Sequence, residues 1–478
     1  MNKFFRNIAA TVLVLAALPM AAQEEHAPVV MSLDECIAVA ISENPTVQIA
    51  DMEIQRLDFS KKESFGQLLP TISFDATYSR MLAKQVAYMN MDDFGGFPGM
   101  GGGDTSGDDS PAEGAEESKS SGDGGIKMGL DNSYMMGFNA SMPLISVQLW
   151  KTLKLHDTQI LEAVEKSRQS REQLVQQVKS AYYALLLAED SYKVMVENLE
   201  MAKFTAQLYQ KQFDLGAASQ FDVLRTQVAV KNAEPNVSQA EITIRQARLQ
   251  LLVLMGIGEY FPIQPNVKLA DFEKTMYEQT MAYDRDISQN SDLRLLDIQT
   301  TLLDQTLSVQ KAAWYPTLAL SANYNWTSSS QGNPLKGFRW NPYSVIGLSL
   351  SVPIFQGGQR WNRIKQAEIQ VGEMRYQKAN LENSLRMQVD VAFDNIQQNV
   401  RLISSCAESV RQAGTAHDIA RQSFEIGAGT YLDLRDSELA LTQSRLAYYQ
   451  AIYNYLEATN NLEKLLGRYN VDAFMPAY

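Results

Sequence analysis

The chain holds 478 residues, with 42 Lys and Arg against 55 Asp and Glu and a formal net charge of −13. That acid excess excludes nucleic acid as the default partner, and two cysteines, Cys36 and Cys406, are too few for a disulfide framework. His26, His156 and His417 stand far apart, and no nucleophile elbow, phosphate loop, zinc spacing or paired-acid cleft is present. The sequence therefore predicts no catalytic residue, no cofactor and no metal, and the chain is not expected to be an enzyme.

The first element in chain order is a targeting segment. Lys3 and Arg6 precede an apolar run from Ile8 to Leu18, and Pro19, Met20, Ala21, Ala22 and Gln23 follow. This order predicts a signal peptide over residues 1–22, cut after Ala22. The apolar run is shorter than the ~20 residues that a spanning helix needs. Cleavage removes Lys3 and Arg6 and no acid, which moves the net charge from −13 to −15 and favours cations in any pore. Later apolar runs, such as Ala184 to Ala188 and Leu249 to Met255, are shorter still. A membrane-embedded mature chain must then be a β-barrel.

The rest of the sequence is written twice. At an offset of 246, Ile41-Ser42-Glu43-Asn44 meets Ile287-Ser288-Gln289-Asn290, and Leu69-Pro70-Thr71-Ile72 meets Tyr315-Pro316-Thr317-Leu318. At 210, Ser141-Met142-Pro143-Leu144 meets Ser351-Val352-Pro353-Ile354. At 211, Phe213 to Ala217 meets Phe424 to Ala428, and Leu251 to Gly256 meets Leu462 to Gly467. The first repeat is placed at 23–255, the second at 287–467, with a connecting segment at 256–286 and a tail at 468–478. The change of offset locates an insertion between Met81 and Tyr134. Residues 92–127 are Gly-rich and acidic without calcium-loop spacing, and are predicted to be a disordered loop.

Each repeat reads as helix, strand, loop, strand, long helix, turn, helix. Strands are predicted at about 71–82, 134–145, 317–327 and 343–354 from strict alternation. Ile72, Phe74, Ala76 and Tyr78 alternate with Ser73, Asp75, Thr77 and Ser79; Leu318, Leu320, Ala322, Tyr324 and Trp326 alternate with Ser321, Asn323 and Asn325. Each run is close to the ~9–11 residues of a tilted membrane strand. Trp150, Trp314, Trp326, Trp340 and Trp361 lie within these strands or just beyond them, as an interfacial girdle requires.

The helices carry a different period. Leu174, Val178, Ala181, Leu185, Ala188, Tyr192, Met195, Leu199, Ala202, Ala206, Tyr209 and Phe213 step by four and three residues, which is a coiled-coil seam. The second copy runs from Leu385 to Phe424 and places Cys406 and His417 on the seam as packed residues. Residues 150–215 predict one helix of ~100 Å, far longer than a compact domain holds. Pro235 predicts a kink where the second copy has Leu446. Both helix turns open with a helix-stopping glycine, Gly216 and Gly427, and continue as capping boxes, Ser219 with Asp222 and Thr430 with Asp433. Asp436 stands one turn beyond Asp433, where the first copy has Arg225. A cap does not need it.

The mature chain resembles the TolC family of outer-membrane factors over essentially its whole length. The resemblance rests on the stretch SLDECIAVAISENP, the strand openings LPTISF and YPTLAL, the passages MPLI and VPIFQGG, and the turns FDLGAASQFDVL and FEIGAGTYLDLRDSELA. It implies a mainly α fold with a membrane β-barrel portion: a homotrimer whose twelve strands continue into a long α-helical barrel. It further implies an outer-membrane duct reaching through the periplasm, an iris-like inner gate, a periplasmic adaptor protein, and an inner-membrane pump of the resistance-nodulation-division or ABC type. Asp433 and Asp436 match the acidic positions around the inner aperture, with Asp222 and Arg225 beside them. Where members carry an aromatic hydroxyl and a basic residue as a gate latch, this chain has Phe424 and Gly429. A periplasmic coiled-coil adaptor or scaffold is the alternative. It would share the signal peptide and the heptads but would not need amphipathic strands.

Overall fold

The computed structural model describes residues 29–88, 125–258, 262–280, 284–337 and 339–471. The expected signal peptide, most of the acidic insertion and the last residues lie outside these ranges. The elements in order are β1 (Val29–Met31), α1 (Leu33–Glu43), α2 (Pro45–Gly66), β2 (Thr71–Arg80), β3 (Gln85–Tyr88), β4 (Gly125–Met128), β5 (Asn132–Ile145), α3 (Val147–Asp214), α4 (Gln220–Leu254), β6 (Ile263–Pro265), α5 (Leu269–Thr280), α6 (Ser291–Ala312), β7 (Thr317–Ser330), β8 (Asn341–Ser351), α7 (Gln359–Glu425) and α8 (Tyr431–Leu465). They fall into two units. One holds the described residues up to Phe59, His156–Asp304 and Ala367 onward; the other holds Ser60–Leu155 and Gln305–Gln366.

The smaller unit is built on a four-stranded antiparallel sheet in the order β2-β5-β7-β8. Its register turns the alternation of four separate runs into two faces. Ile72 lies opposite Ala140, Ala140 opposite Ala322, and Ala322 opposite Ile346; Phe74, Phe138 and Tyr324 line up likewise. The other face carries Ser73, Asn139, Asn323 and Val345 in one row and Thr71, Ser141, Ser321 and Gly347 in the next. One face is thus apolar and the other mostly small and polar. Gly137 belongs to this register: a Cβ there would collide with Asn325 and the backbone of Tyr324. The edge strands β2 and β8 are exposed on nearly every residue. Among the described residues no helix is long and apolar enough to cross a membrane.

The loop predicted at 92–127 ends sooner than the sequence suggests. Residues 85–88 pair with 125–128 as a short antiparallel ribbon, so 125–127 are strand rather than loop.

The larger unit holds the seams. Leu174, Val178, Ala181, Leu185 and Ala188 are buried on α3, and Leu385, Val389, Ala392, Ile396 and Ile403 on α7. His417 is buried in line with them, as its seam position predicts. The deepest packing is where β6 and α5 meet the long helices. β6 pairs in parallel with β1. Tyr182 donates to the Met31 carbonyl at 3.2 Å, Tyr455 to the Met276 carbonyl at 2.9 Å, and Phe272 meets Tyr183 edge-on. Arg171, buried on α3, grips Asp51 of α2 with both oxygens at 2.9 and 2.7 Å. The α4 helix runs on through Pro235 without interruption.

The end of α4 is joined to the start of α2 by one side chain. Asn44 Nδ2 donates to the Leu254 carbonyl at 2.8 Å, and Asn44 Oδ1 accepts from the Thr46 amide at 2.8 Å. The second repeat does the same: Asn290 donates to Leu465 O at 2.9 Å and accepts from the Asp292 and Leu293 amides at 3.0 and 3.2 Å. One amide thereby satisfies an orphan carbonyl of one helix and orphan N–H groups of the next. Gly256 (φ 73°) and Gly467 (φ 65°) end α4 and α8 against the backbones of Glu43 and Gln289, where no Cβ fits. Replacing Asn290 by Ala strands buried groups on both helices and is expected to cost about 1–3 kcal/mol. Thermal unfolding followed by circular dichroism in detergent checks this, and Asn44→Ala should cost a similar amount.

Candidate functional site

Each unit offers one set of predicted residues. In the larger unit the turns between α3 and α4 and between α7 and α8 have the same construction. Gly216 (φ 75°) donates to Phe213 O at 2.8 Å and Ala217 to Gln212 O at 2.7 Å; Gly427 (φ 77°) and Ala428 repeat this toward Phe424 and Ser423 at 3.0 and 2.8 Å. These are Schellman closures, which glycine's left-handed backbone permits. Three residues later the next helix is capped. Ser219 Oγ accepts from the Asp222 amide at 3.2 Å, while Asp222 Oδ2 accepts from the Ser219 amide at 3.3 Å and its hydroxyl at 2.6 Å. Thr430 and Asp433 make the same three bonds at 3.2, 3.2 and 2.6 Å.

The Asp433 carboxyl is held below its usual value of 3.8, first by the Thr430 hydroxyl and then by the Thr430 amide. Asp436 lies exposed one turn further on, with no hydrogen bond or ion pair among the described residues. Arg225 does not stand free. Its guanidinium lies 4.7 Å from the centre of the Tyr431 ring, a cation–π contact between α4 and α8. Tyr209 of α3 packs edge-on to Tyr431 at 5.5 Å and against Phe424 at 5.9 Å. Burial pushes the phenols of Tyr431 and Tyr209 up. Behind this cluster Arg445 pairs with Glu197, and Asn198 donates to Thr442 at 3.2 Å, so α8 is tied to α3.

The structure therefore brings together Arg225, Phe424 and two tyrosines that the sequence reading did not single out. Tyr209 was read only as a seam residue. Tyr431 has Gln220 as its counterpart in the first repeat, and that difference was the available signal. Gly429 sits in a crowded turn: a Cβ there would lie 3.1 Å from the Phe424 amide nitrogen and from Ser423 Cβ.

In the smaller unit the tryptophans divide into two groups. Trp150 is in the first turn of α3, Trp314 follows α6 beneath Arg360 at 5.6 Å, and Trp361 opens α7 beneath Lys365 at 5.1 Å. These three stand where strands meet helices. Trp326 and Trp340 belong to the opposite end. Trp326 lies inside β7 between Phe138 and Tyr324, and Trp340 precedes β8 against Tyr134, which stacks on Tyr78. Among the described residues no group of His, Cys, Asp and Glu is placed to hold a metal ion.

The profile of the family described as outer membrane efflux protein matches residues 36–257 and 282–468. The chain belongs to the outer membrane efflux protein family. The two matched blocks correspond to the two repeats. The alkaline protease secretion protein AprF of Pseudomonas aeruginosa is 25% identical over 346 residues, which is 70% of each chain. The outer membrane protein TolC of Vibrio cholerae is 24% identical over 346 residues, covering 69% of this chain and 76% of its own. The solved structure of the Campylobacter jejuni CmeC outer membrane channel superposes with a TM-score of 0.66 at 15% identity, covering 94% of this chain and 93% of its own. The fold is TolC-like, and the efflux protein is an outer-membrane channel extending into the periplasm.

The sign of the pH effect at the second turn follows from Asp433. A carboxyl lowered on folding contributes stability above its unfolded value, lost as pH falls through the folded one. Backbone protection of residues 430–434 is therefore expected to hold at neutral pH and to decline below about 3.8. Hydrogen exchange corrected for intrinsic rates measures it, and Thr430→Val should abolish the pH dependence.

Proposed function

We propose that this efflux protein is the passive exit duct of a tripartite export system and works as a homotrimer. The observation that carries the reading is the sheet: four strands, one apolar face and two open edges. Four strands cannot close, since membrane barrels begin at ~8, and an open edge cannot face hydrocarbon. Because every pairing is antiparallel, β8 runs opposite to β2. Copies related by rotation then complete an all-antiparallel barrel, β8 of one against β2 of the next. Two copies would also satisfy the backbone; three is the number that the family resemblance supports. Helices of 67 and 68 residues, each ~100 Å long, suit the wall of a tube through the periplasm. A periplasmic adaptor or scaffold has no use for such a sheet.

In this reading the turns at Gly216 and Gly427 are the inner mouth. A periplasmic adaptor joins it to an inner-membrane pump of the resistance-nodulation-division or ABC type, and the pump selects the cargo. The three copies of Asp433 and Asp436 line the aperture, with Asp222 as a cap. Arg225, stacked on Tyr431, ties the two hairpin tips within each copy, and an iris-like opening has to loosen that contact.

Two outcomes follow for single channels in planar bilayers. Asp433→Ala with Asp436→Ala should raise the leak conductance and weaken cation selectivity; unchanged currents would remove these residues from the aperture. Arg225→Gln gives up a contact of about 0.5–1 kcal/mol, so the open population should rise about two- to fivefold. If closed-state lifetimes match those of the unaltered protein, the tip contact plays no part in gating.

A further inference from the structure

The four strands of the larger sheet hold two charged residues, Asp75 and Arg80, both on β2. Arg80 continues the row of Ile72, Phe74, Ala76 and Tyr78, on the apolar face. Asp75 lies mid-strand on the other face, in line with Gly137, Asn325 and Tyr343 and beside the row of Ser73, Asn139 and Asn323. It is the one charged strand residue on the polar face.

Its carboxylate is held in place. Asn139 Nδ2 donates to Asp75 Oδ2 at 2.7 Å, and the Ser73 hydroxyl donates to the same oxygen at 2.9 Å. Asp75 is exposed, and no cation pairs with it among the described residues. Gly137, directly opposite, has no side chain, and Asn325 occupies the space above it: a Cβ at 137 would lie 2.0 Å from Asn325 Oδ1. Asn325 gives its amide N–H to the Tyr343 hydroxyl at 3.3 Å, which leaves its carbonyl oxygen on the Asp75 side. A surface that presents oxygens in this way attracts a passing cation and repels an anion. The fold does not call for the charge, since an asparagine at position 75 would accept the same two bonds.

We propose that Asp75 is a further selectivity-determining residue of this channel, forming with its copies a ring of fixed negative charge inside the barrel that concentrates cations and depletes anions. The proposal rests on the duct reading, which turns the polar face to the lumen and brings three copies together. Twelve strands about 4.8 Å apart and tilted about 40° enclose a radius of roughly 12 Å, which sets an inward carboxylate about 10 Å from the axis. At ~0.1 M salt three such charges raise cations and lower anions on the axis about twofold each. The cations at either end of the sheet do not cancel them. Arg360 and Arg363 border a cavity with Thr317 and Ser351. Ser351 is eight residues along β8 from Tyr343, about 26 Å and well beyond the Debye length. At the other end Lys84 is paired with Asp131 at 3.0 Å, and the insertion carried on β3 and β4 is acidic in sequence. Lys336 and Arg339 belong to the loop 331–340, which is bonded through Tyr134 and Ser328 on the apolar face.

The test measures reversal potentials of the full-length protein in planar bilayers under a KCl gradient. The Asp433→Ala, Asp436→Ala background keeps the inner mouth from masking the barrel. Asp75→Asn preserves the size of the side chain and an acceptor for both bonds. At about 0.1 M salt it should lower the potassium-to-chloride permeability ratio by up to about fourfold relative to that background; at about 1 M, where the Debye length is ~3 Å, the difference should vanish. An unchanged ratio in dilute salt overturns the proposal. So does a change of equal size at both concentrations, which would mark an altered barrel rather than a lost field. Where Asp75→Asn fails to assemble, Ser73→Lys is read in its place: it keeps Asp75 and sets a cation two residues away on the same face, with the same fall expected. Absence of any conductance step from the unaltered protein would sink the duct reading and the ring with it, whereas steps whose selectivity ignores residue 75 would sink the ring alone.

Discussion

A backbone N–H or C=O left without a partner away from water is the constraint on which this structure turns. It acts at three kinds of place. At the joints, Asn44 and Asn290 supply the missing partners where one helix stops and another begins. At the turns, a Schellman closure and a capping box consume the orphan carbonyls and amides of four helix ends. At the sheet edges no strand among the described residues serves, and β2 and β8 remain unpaired on one side. The first two are solved inside one copy. On the proposed duct reading the third is met by another copy, and assembly then follows from the fold rather than being added to it.

The two repeats show which solutions are general. Joints, closures and caps occur twice with bond lengths agreeing to within a few tenths of an ångström. A wall that must close on itself needs the same local geometry from each half, because a mismatch would propagate along helices of nearly seventy residues. The differences collect elsewhere: the insertion after β3, Pro235 in α4, Tyr431 against Gln220, and Asp436 against Arg225.

Much of this was legible in the sequence because its signals are periodic. Alternation gave the strands, and the register then sorted Ile72, Ala140, Ala322 and Ile346 onto one face as a sheet must. The four-three stepping gave seam residues that are buried in the middle stretches of α3 and α7, while Phe213 at the end of the first seam is exposed. Glycine followed by a Ser or Thr box gave both turns. The joints were not legible. Asn44 and Asn290 appeared as repeated residues, but a bond from Asn44 to Leu254 links positions 210 residues apart, and no local pattern encodes it. The Tyr209–Phe424–Tyr431–Arg225 cluster was hidden for the same reason: its members come from four helices and share no spacing. The short strands β1 and β6 have three residues each, too few to display a period.

The exchange of Arg225 for Asp436 shows how one position can set the character of an opening. Both residues stand three places after a capping aspartate, on helices that begin alike. An arginine there can fold back onto an aromatic face, since its weakly hydrated, planar cation gains from the ring. An aspartate has no such partner, because the ring face repels it. The first repeat's cation is thereby withdrawn into a contact with Tyr431, and the second repeat's anion is left in water. On the reading of these turns as an inner mouth, the contact with Tyr431 keeps Arg225 from adding its charge to that of Arg435, which stands exposed between Asp433 and Asp436.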